Sequence, residues 1–435
     1  MPERECFGGL LTGYPEVAVD RFDGRCLNAS YFLLSHLHSD HMRGLDSAEL
    51  RSVLQSQPQP RLLLSRQSAA LLTSWPRYAA LAPHLCPLEV GVPRQLTDRL
   101  VVTALPAAHC PGSVMFLLEG GAGGTVLYTG DFRLDNHQLA DMKALHDADG
   151  HPKPIQALYV DTTFCVPQRR ELPTRSRSAE SVLRLVTEWL DRAPDHRVNL
   201  DCKARYGYEH IFRRLHEATG MRVHVDAEKI QLYERLPDIA RCVTSCASET
   251  RLHSCRPGSA CLRDGSGGPL RSITLSTMFF FMNQAVDCLE HHLGGERYRV
   301  LYSFHASLGQ VREMVSYLRP SRVVPCVVPP NSSLESVVAL LGGASEPRLE
   351  LQSGRLPTAR ATHWERRPSE VLQPHRQHTG RRQPPKEIKR IRPKVESPAR
   401  RQGHQRSPQP AVGAQEERAD AADTRPAWKS PFDSD

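Results

Sequence analysis

"SHLHSDHMRG", residues 35–44, sets three histidines and an aspartate within six positions: His36, His38, Asp40 and His41. The run before it, "ASYFLL", is short, apolar and aromatic, and reads as a buried strand that ends at Ser35. His36 and His38 then alternate by two, so both project to one side as the chain leaves the strand. Asp40 and His41 follow in a turn that Gly44 ends. Imidazole and carboxylate are good ligands for zinc-like ions, and this spacing lets two pairs of them face neighbouring positions. A polar loop with capping or solvated histidines would account for a single such residue. Four of them after an apolar strand point to a metal site.

Such a site needs ligands from elsewhere in the chain. "LVVTALPAAHCPGSVMFLLEG", 100–120, reads as strand, turn with His109, strand. "GTVLYTGDFR", 124–133, places Asp131 just past another apolar run. "ALYVDTTFC" does the same for Asp161 and "RVLYSFHAS" for His305. Each side chain falls at the carboxyl end of a β-run, where a sheet scaffold presents its functional loops. Five stations of this kind make a coincidence of ordinary loop residues a poor explanation.

The set resembles the metallo-β-lactamase superfamily. Within it, "AAHCPGSVMF", "LYTGDFR" and "DTTFC" resemble the DNA cross-link repair nucleases that carry an inserted β-CASP domain, as do "VDRFDGR", "CKARYGYEHIF", "LHSCR" and "YSFHAS". The resemblance covers about the first 340 residues. It implies an α/β fold: an αββα sandwich with an inserted β-CASP α/β domain and a disordered C-terminal tail. The expected parts are residues 1–157 as the first portion of the metallo-β-lactamase domain, 158–298 as the insertion, 299–342 as the return segment and 343–435 as a basic tail. Helices are expected at "SAESVLRLVTEWLDRA" and "GQVREMVSYLRP", and a strand at "SRVVPCVVP".

The resemblance also assigns roles. His36, His38, His109 and Asp131 would hold one divalent ion. Asp40, His41 and His305 would hold a second, with Asp131 bridging; zinc, magnesium and manganese all suit such donors. Two ions can share a water, lower its pKa and clamp a phosphate oxygen for in-line attack on phosphorus. Asp40, His41, Asp131 and Asp161 are the expected catalytic set, with Asp161 orienting a histidine or the water. Asp20 would steady the loop of His36, or simply cap a turn. In the insertion, His224, His253, Cys255 and Cys261 can close a tetrahedral structural zinc site, with Cys242 and Cys246 as competing thiols nearby. Lys203, Arg205 and Tyr206 precede a helix and are candidates for phosphate contact or base stacking. Exonuclease relatives tend to carry Gly-Lys-Glu where this chain has Gly207, Tyr208 and Glu209, so the tyrosine implies opening of hairpins and overhangs.

Composition agrees with this reading without carrying it. A chain of 435 residues, 40% hydrophobic, has room for two or three domains and a sizeable core. No signal peptide or membrane-spanning stretch is expected. Twelve cysteines without a secretory mark suggest reduced thiols rather than a disulfide framework. Of the net charge of +8, residues 343–435 supply +7 from 19 basic and 12 acidic side chains. The rest is nearly neutral, so any nucleic-acid site there must be a local groove.

The tail reads as disordered from its Pro, Gln, Arg and Ser content. Its "RRQPPKEIKRIRPK", 381–394, suggests a nuclear address or a phosphate-binding arm. Ser397, Ser407 and Ser430 each precede proline. By resemblance the partners are DNA hairpins, overhangs and single strands, the DNA-dependent protein kinase catalytic subunit and DNA ligase IV. The tail departs from the family pattern in having no Ser-Gln or Thr-Gln pair. The expected function is a nuclear, metal-dependent DNA endonuclease and 5′–3′ exonuclease for non-homologous end joining and V(D)J recombination. The alternatives are a 5′-exonuclease of cross-link repair, a β-CASP RNA-processing nuclease, a thioester hydrolase of the wider superfamily and a non-catalytic DNA-end scaffold.

Overall fold

The structure is a computed structural model that describes residues 4–342, apart from 6, 57–58, 60, 135, 264–267 and 283–288. The expected tail, with its basic run and its Ser-Pro sites, lies outside the described residues.

Two sheets face each other. The five-stranded sheet runs in chain order: Leu10–Leu11, Tyr14–Val19, Tyr31–Leu33, Leu62–Ser65 and Leu85–Leu88. All but the first pairing are parallel. A parallel strand covered on both faces must be apolar along its whole length, which is why "YFL" and "LLL" are continuous apolar runs. The six-stranded sheet has the order Val323–Pro325, Ala157–Val160, Val126–Tyr128, Val114–Glu119, Leu100–Pro106, Pro93–Thr97. Val17, Leu33, Leu63, Val102, Phe116, Leu118 and Val126 fill the space between the sheets. Alternate residues of the same strands, among them Leu105, Leu117, Leu127 and Leu158, turn outward onto helices Leu308–Leu318 and Leu334–Leu341. Helices Ala48–Gln55 and Arg66–Thr73 cover the other sheet through Leu50, Leu54, Leu71 and Leu72. The result is the expected αββα sandwich.

The chain leaves this body for a seven-stranded sheet of order Val243–Thr244, Val223–Val225, Leu252–Ser254, Arg197–Asp201, Leu270–Leu275, Arg297–Val300, Glu290–His292. Helix Arg175–Leu190 opens this part; Thr174 caps it by accepting from the Arg177 N–H. Strand Ala157–Val160 still pairs with Val126–Tyr128 and Val323–Pro325. The expected break at 157/158 therefore cuts a strand, and the change of sheet falls after Val160. The expected return at 299 likewise falls inside Arg297–Val300, which pairs with Leu270–Leu275. The sequence hid both points because an apolar strand looks alike in either sheet. The ten described cysteines are all free thiols. Among the described residues, no helix is long and apolar enough to cross a membrane.

Candidate metal centre

The site forms where strands of the two sheets end together. Tyr31–Leu33 stops, and the Ser35 N–H donates to Asp20 Oδ1 at 2.7 Å. The Ser35 carbonyl accepts from the Val114 N–H at 3.0 Å, tying the two sheets at their rims. Gly130, with φ +51°, brings the Asp131 loop so close that a Cβ there would lie 2.7 Å from Ser35 Oγ. The His109 turn is pinned in the same way: Ser65 and Ser68 hydroxyls both donate to the Gly112 carbonyl, at 2.6 and 2.9 Å.

These loops bring every expected station of the centre together. His36, His38, His109 and Asp131 offer ligand atoms within 4.8 Å of one another, and so do Asp40, His41 and Asp131. Asp131 sits at the hub. Its Oδ2 lies 3.4 Å from Nε2 of both His36 and His109, and its Oδ1 lies 3.2 Å from His41 Nε2. His305 joins from the Oδ2 side, with Nδ1 3.8 Å from Asp131 and 2.9 Å from Asp161 Oδ2. The expectation grouped His305 with Asp40 and His41. Its close carboxylate partners are instead Asp161 and the face of Asp131 turned to His36 and His109.

Supporting hydrogen bonds fix the rings. Asp20 accepts from His41 Nδ1–H at 2.8 Å, which leaves His41 Nε2 aimed at Asp131. Asp20 also accepts from the Tyr128 hydroxyl at 2.8 Å, so it is buried at a junction rather than capping a simple turn. The Phe304 carbonyl accepts from His109 Nδ1–H at 3.0 Å. Asp161 is itself held, accepting from the Thr163 N–H at 2.9 Å and its hydroxyl at 2.6 Å.

The electrostatics suit cation binding. Burial, with the charge of His36, drives His38 down to about 3, so its ring is neutral and able to ligate. Burial also holds His109 well below the usual histidine range. Burial opposes the Asp131 carboxylate, yet His41, His305 and His109 outweigh it and keep Asp131 ionised. Burial likewise opposes a charged His41, but Asp131 and Asp20 raise its pKa well above normal. Nε2 of His38 is buried without a hydrogen-bond partner, that of His36 has only the Asp131 carboxylate 3.4 Å away, and His38 Nδ1 faces His109 Nε2 at 2.9 Å. Buried nitrogens without partners are costly. A divalent ion among these imidazoles and the Asp131 carboxylate removes that cost, so the donor set fits a metal.

The insertion has its own cluster. His224 and His253 are register partners on adjacent parallel strands, so their rings share one sheet face, 3.2 Å apart at Nδ1. Cys255 follows His253 by two and returns to that face, with Sγ 3.1 Å from His224 Nδ1. Cys261 Sγ completes the set, 3.5 Å from Cys255 Sγ. The rival thiols stand elsewhere: Cys242 donates to the Asp238 carbonyl, and Cys246 is exposed beside Ser248.

The basic loop divides. Lys203 and Arg205 are exposed. Tyr206 is 2% exposed and its ring lies on His38, centroids 4.8 Å apart, so it is closed to a base. Tyr208 and Glu209 are buried too; Glu209 accepts from the Gly207 N–H and the Tyr233 hydroxyl. Two arginines escaped the sequence reading. Arg133 donates to the His305 carbonyl at 2.9 Å, and Arg175 to the His109 carbonyl at 3.1 Å. Arg133 stood in the quoted "YTGDFR", but nothing in the sequence tied either arginine to a distant carbonyl.

Comparison with known proteins agrees with this geometry. Residues 27–183 match the Beta-lactamase superfamily domain. That stretch holds every station except His305, which comes after the insertion. Protein artemis of Homo sapiens is 36% identical over 385 residues, covering 82% of this chain and 55% of that protein. Protein artemis of Gallus gallus is 38% identical over 357 residues, covering 77% and 49%. The 5′ exonuclease Apollo of Gallus gallus is 33% identical over 321 residues, covering 74% and 63%. The chain thus spans about half the length of the artemis proteins it matches. With the sandwich fold and the histidine–aspartate centre at its rim, these similarities give the chain a beta-lactamase superfamily domain and make it similar to artemis and Apollo over most of its length.

Proposed function

We propose that the chain is a metal-dependent DNA nuclease that processes DNA ends in the nucleus, cutting hairpins and overhangs and trimming 5′ single strands. The observation that carries this is Asp131, one buried carboxylate facing two ligand sets with its two oxygens. His36, His38, His109 and Asp131 would hold one divalent ion; Asp40, His41 and Asp131 would hold the other. Zinc, magnesium or manganese bound there supplies Lewis-acid charge to a phosphodiester and a water of lowered pKa. The protein's own part is positioning. Asp20 and the Phe304 carbonyl fix which nitrogen of His41 and His109 faces the centre. Asp161 holds the His305 ring at its edge, where that imidazole can hydrogen-bond a phosphate oxygen or the departing sugar oxygen. In the insertion, two imidazoles and two thiols form a donor set for a closed, structural zinc. The domain boundaries that fit this reading are a break after Val160 and a return near Leu301.

The family resemblance brings non-homologous end joining, V(D)J recombination, the DNA-dependent protein kinase catalytic subunit and DNA ligase IV as the pathways and partners of this activity. The test is cleavage of a labelled DNA hairpin, a 5′-overhang, single-stranded DNA and a matched RNA in Mg²⁺ or Mn²⁺. Cuts near the hairpin tip, lost in a His36→Ala, Asp40→Asn double variant, are expected. Stepwise removal of 5′ nucleotides alone would mean an exonuclease of the Apollo kind. Preferred cutting of RNA, or binding without cutting, would overturn the reading.

A further inference from the structure

The metal centre opens onto a groove of about 960 Å³ that both parts of the chain line. One wall carries His38, Asp40 and the turn of Trp75, Pro76 and Arg77; Arg205 and Tyr206 face it from the loop before helix Glu209–Thr219. Tyr206 is already committed to covering His38. Arg205, next to it, reaches across and lays its guanidinium over the Trp75 ring, 4.6 Å from the centroid. Trp75 is half-buried against the core and braced by Tyr78, with ring centroids 5.8 Å apart. Arg205 is exposed, so the face of its guanidinium away from Trp75 is open to the groove. Arg77 differs: its Nε donates to Asp46 at 2.7 Å, and its charge is already matched.

We infer that Arg205, held flat by Trp75, is a stacking platform for one unpaired nucleobase of the strand that leaves the metal centre past His38. The inference rests on the nuclease reading and adds the side on which the strand runs and the group that grips it. A guanidinium is planar and weakly hydrated, so it stacks on a base while its edge N–H groups reach a neighbouring phosphate. Every base offers a π-face, so the grip is tolerant of sequence. A base inside a duplex has no free face, so the platform favours an unpaired or splayed nucleotide at a fixed distance from the cut. Trp75 acts through Arg205 and is a positioning residue.

The test walks a single abasic site along the single-stranded arm of a labelled overhang substrate. It uses the full chain and its R205A, R205K and W75F variants, each checked by thermal melting. At one abasic position the wild type should show a KM raised roughly tenfold, the scale of losing one stacked base, with kcat little changed. R205A should show the same rise on intact DNA and no further penalty from the abasic site. R205K should resemble R205A, because a point charge lacks the plane, and W75F should fall between the wild type and R205A in KM, because a smaller ring supports less of the guanidinium. An abasic penalty that persists in R205A, or an R205K that behaves as wild type, would overturn the inference. If none of the proteins cuts, the nuclease reading fails instead. The same abasic series read as binding by fluorescence anisotropy then still decides the platform by these criteria.

Discussion

Two four-residue clusters stand at the strand ends of two different sheets, and they differ in what surrounds them. His224, His253, Cys255 and Cys261 have no carboxylate among them. They stand on neighbouring parallel strands and the loop that follows, and His253 Nε2 is buried without a partner. Burial lowers His253 to about 4 and raises the Cys255 thiol to about 12, so in the bare protein these groups are neutral. Two thiols that must lose protons to bind, beside two neutral imidazoles, suit an ion that stays bound and braces a fold. His36, His38, His109 and Asp131 instead share their carboxylate with a second set. Their surroundings open into one cavity through Asp40, His41 and Asp131 and into the groove through His38 and Asp40. The difference lies in the bridging carboxylate and in access: one cluster is built to be closed, the other to receive a ligand.

That contrast can be broken at graded points. The largest effect belongs to Asp131→Asn, which removes the negative charge at the hub. Cleavage should fall by on the order of 10²–10³ or more, the range for losing one electrostatic group aimed at developing charge, while melting of the insertion stays in place. Single-turnover rates check this. Next comes Asp161→Asn, which leaves His305 without its orienting carboxylate at 2.9 Å. A loss of about 10–100-fold is expected, with metal content at the His36 set unchanged by mass spectrometry.

Cys255→Ala should act in the opposite sense. Cutting at low temperature should change only a few-fold, but the melting temperature should drop by about 10 °C, the size expected if about 4 kcal/mol of linked metal binding is lost. A chelator should lower the melting temperature of the wild type by at least as much, and that of the variant by clearly less. The smallest effect is Cys246→Ser. Its thiol is exposed and outside the cluster, so cleavage and melting should both match the wild type.

What could be read without coordinates followed from local chemistry. His36, His38, Asp40 and His41 announce themselves because four metal-ligating side chains crowd one short turn. His253 and Cys255 were legible because two-residue alternation along a strand puts residues on one face. The groups that escaped act on the main chain at long range. Arg133 reaches a carbonyl 172 residues away and Arg175 one 66 residues away, and a carbonyl leaves no side-chain signature. Tyr206 misled for a related reason. In a basic loop an aromatic side chain suggests a base, but here the His38 ring takes that face. His305 was expected beside Asp40 and stands instead beside Asp161, because both are carboxylates that follow strands and only the sheets decide which one it meets. The expected break at 157/158 falls inside strand Ala157–Val160, since strand apolarity does not say which sheet a strand joins.

The most direct test of the account is bound metal per chain, measured together with cleavage, in the wild type, a His36→Ala, His38→Ala variant and a His253→Ala, Cys255→Ala variant. The account predicts that the first variant loses metal and all cutting but keeps its insertion folded. It predicts that the second loses one zinc and thermal stability while still cutting in the cold. Loss of cutting in the second with the first still active would contradict the assignment of the two clusters.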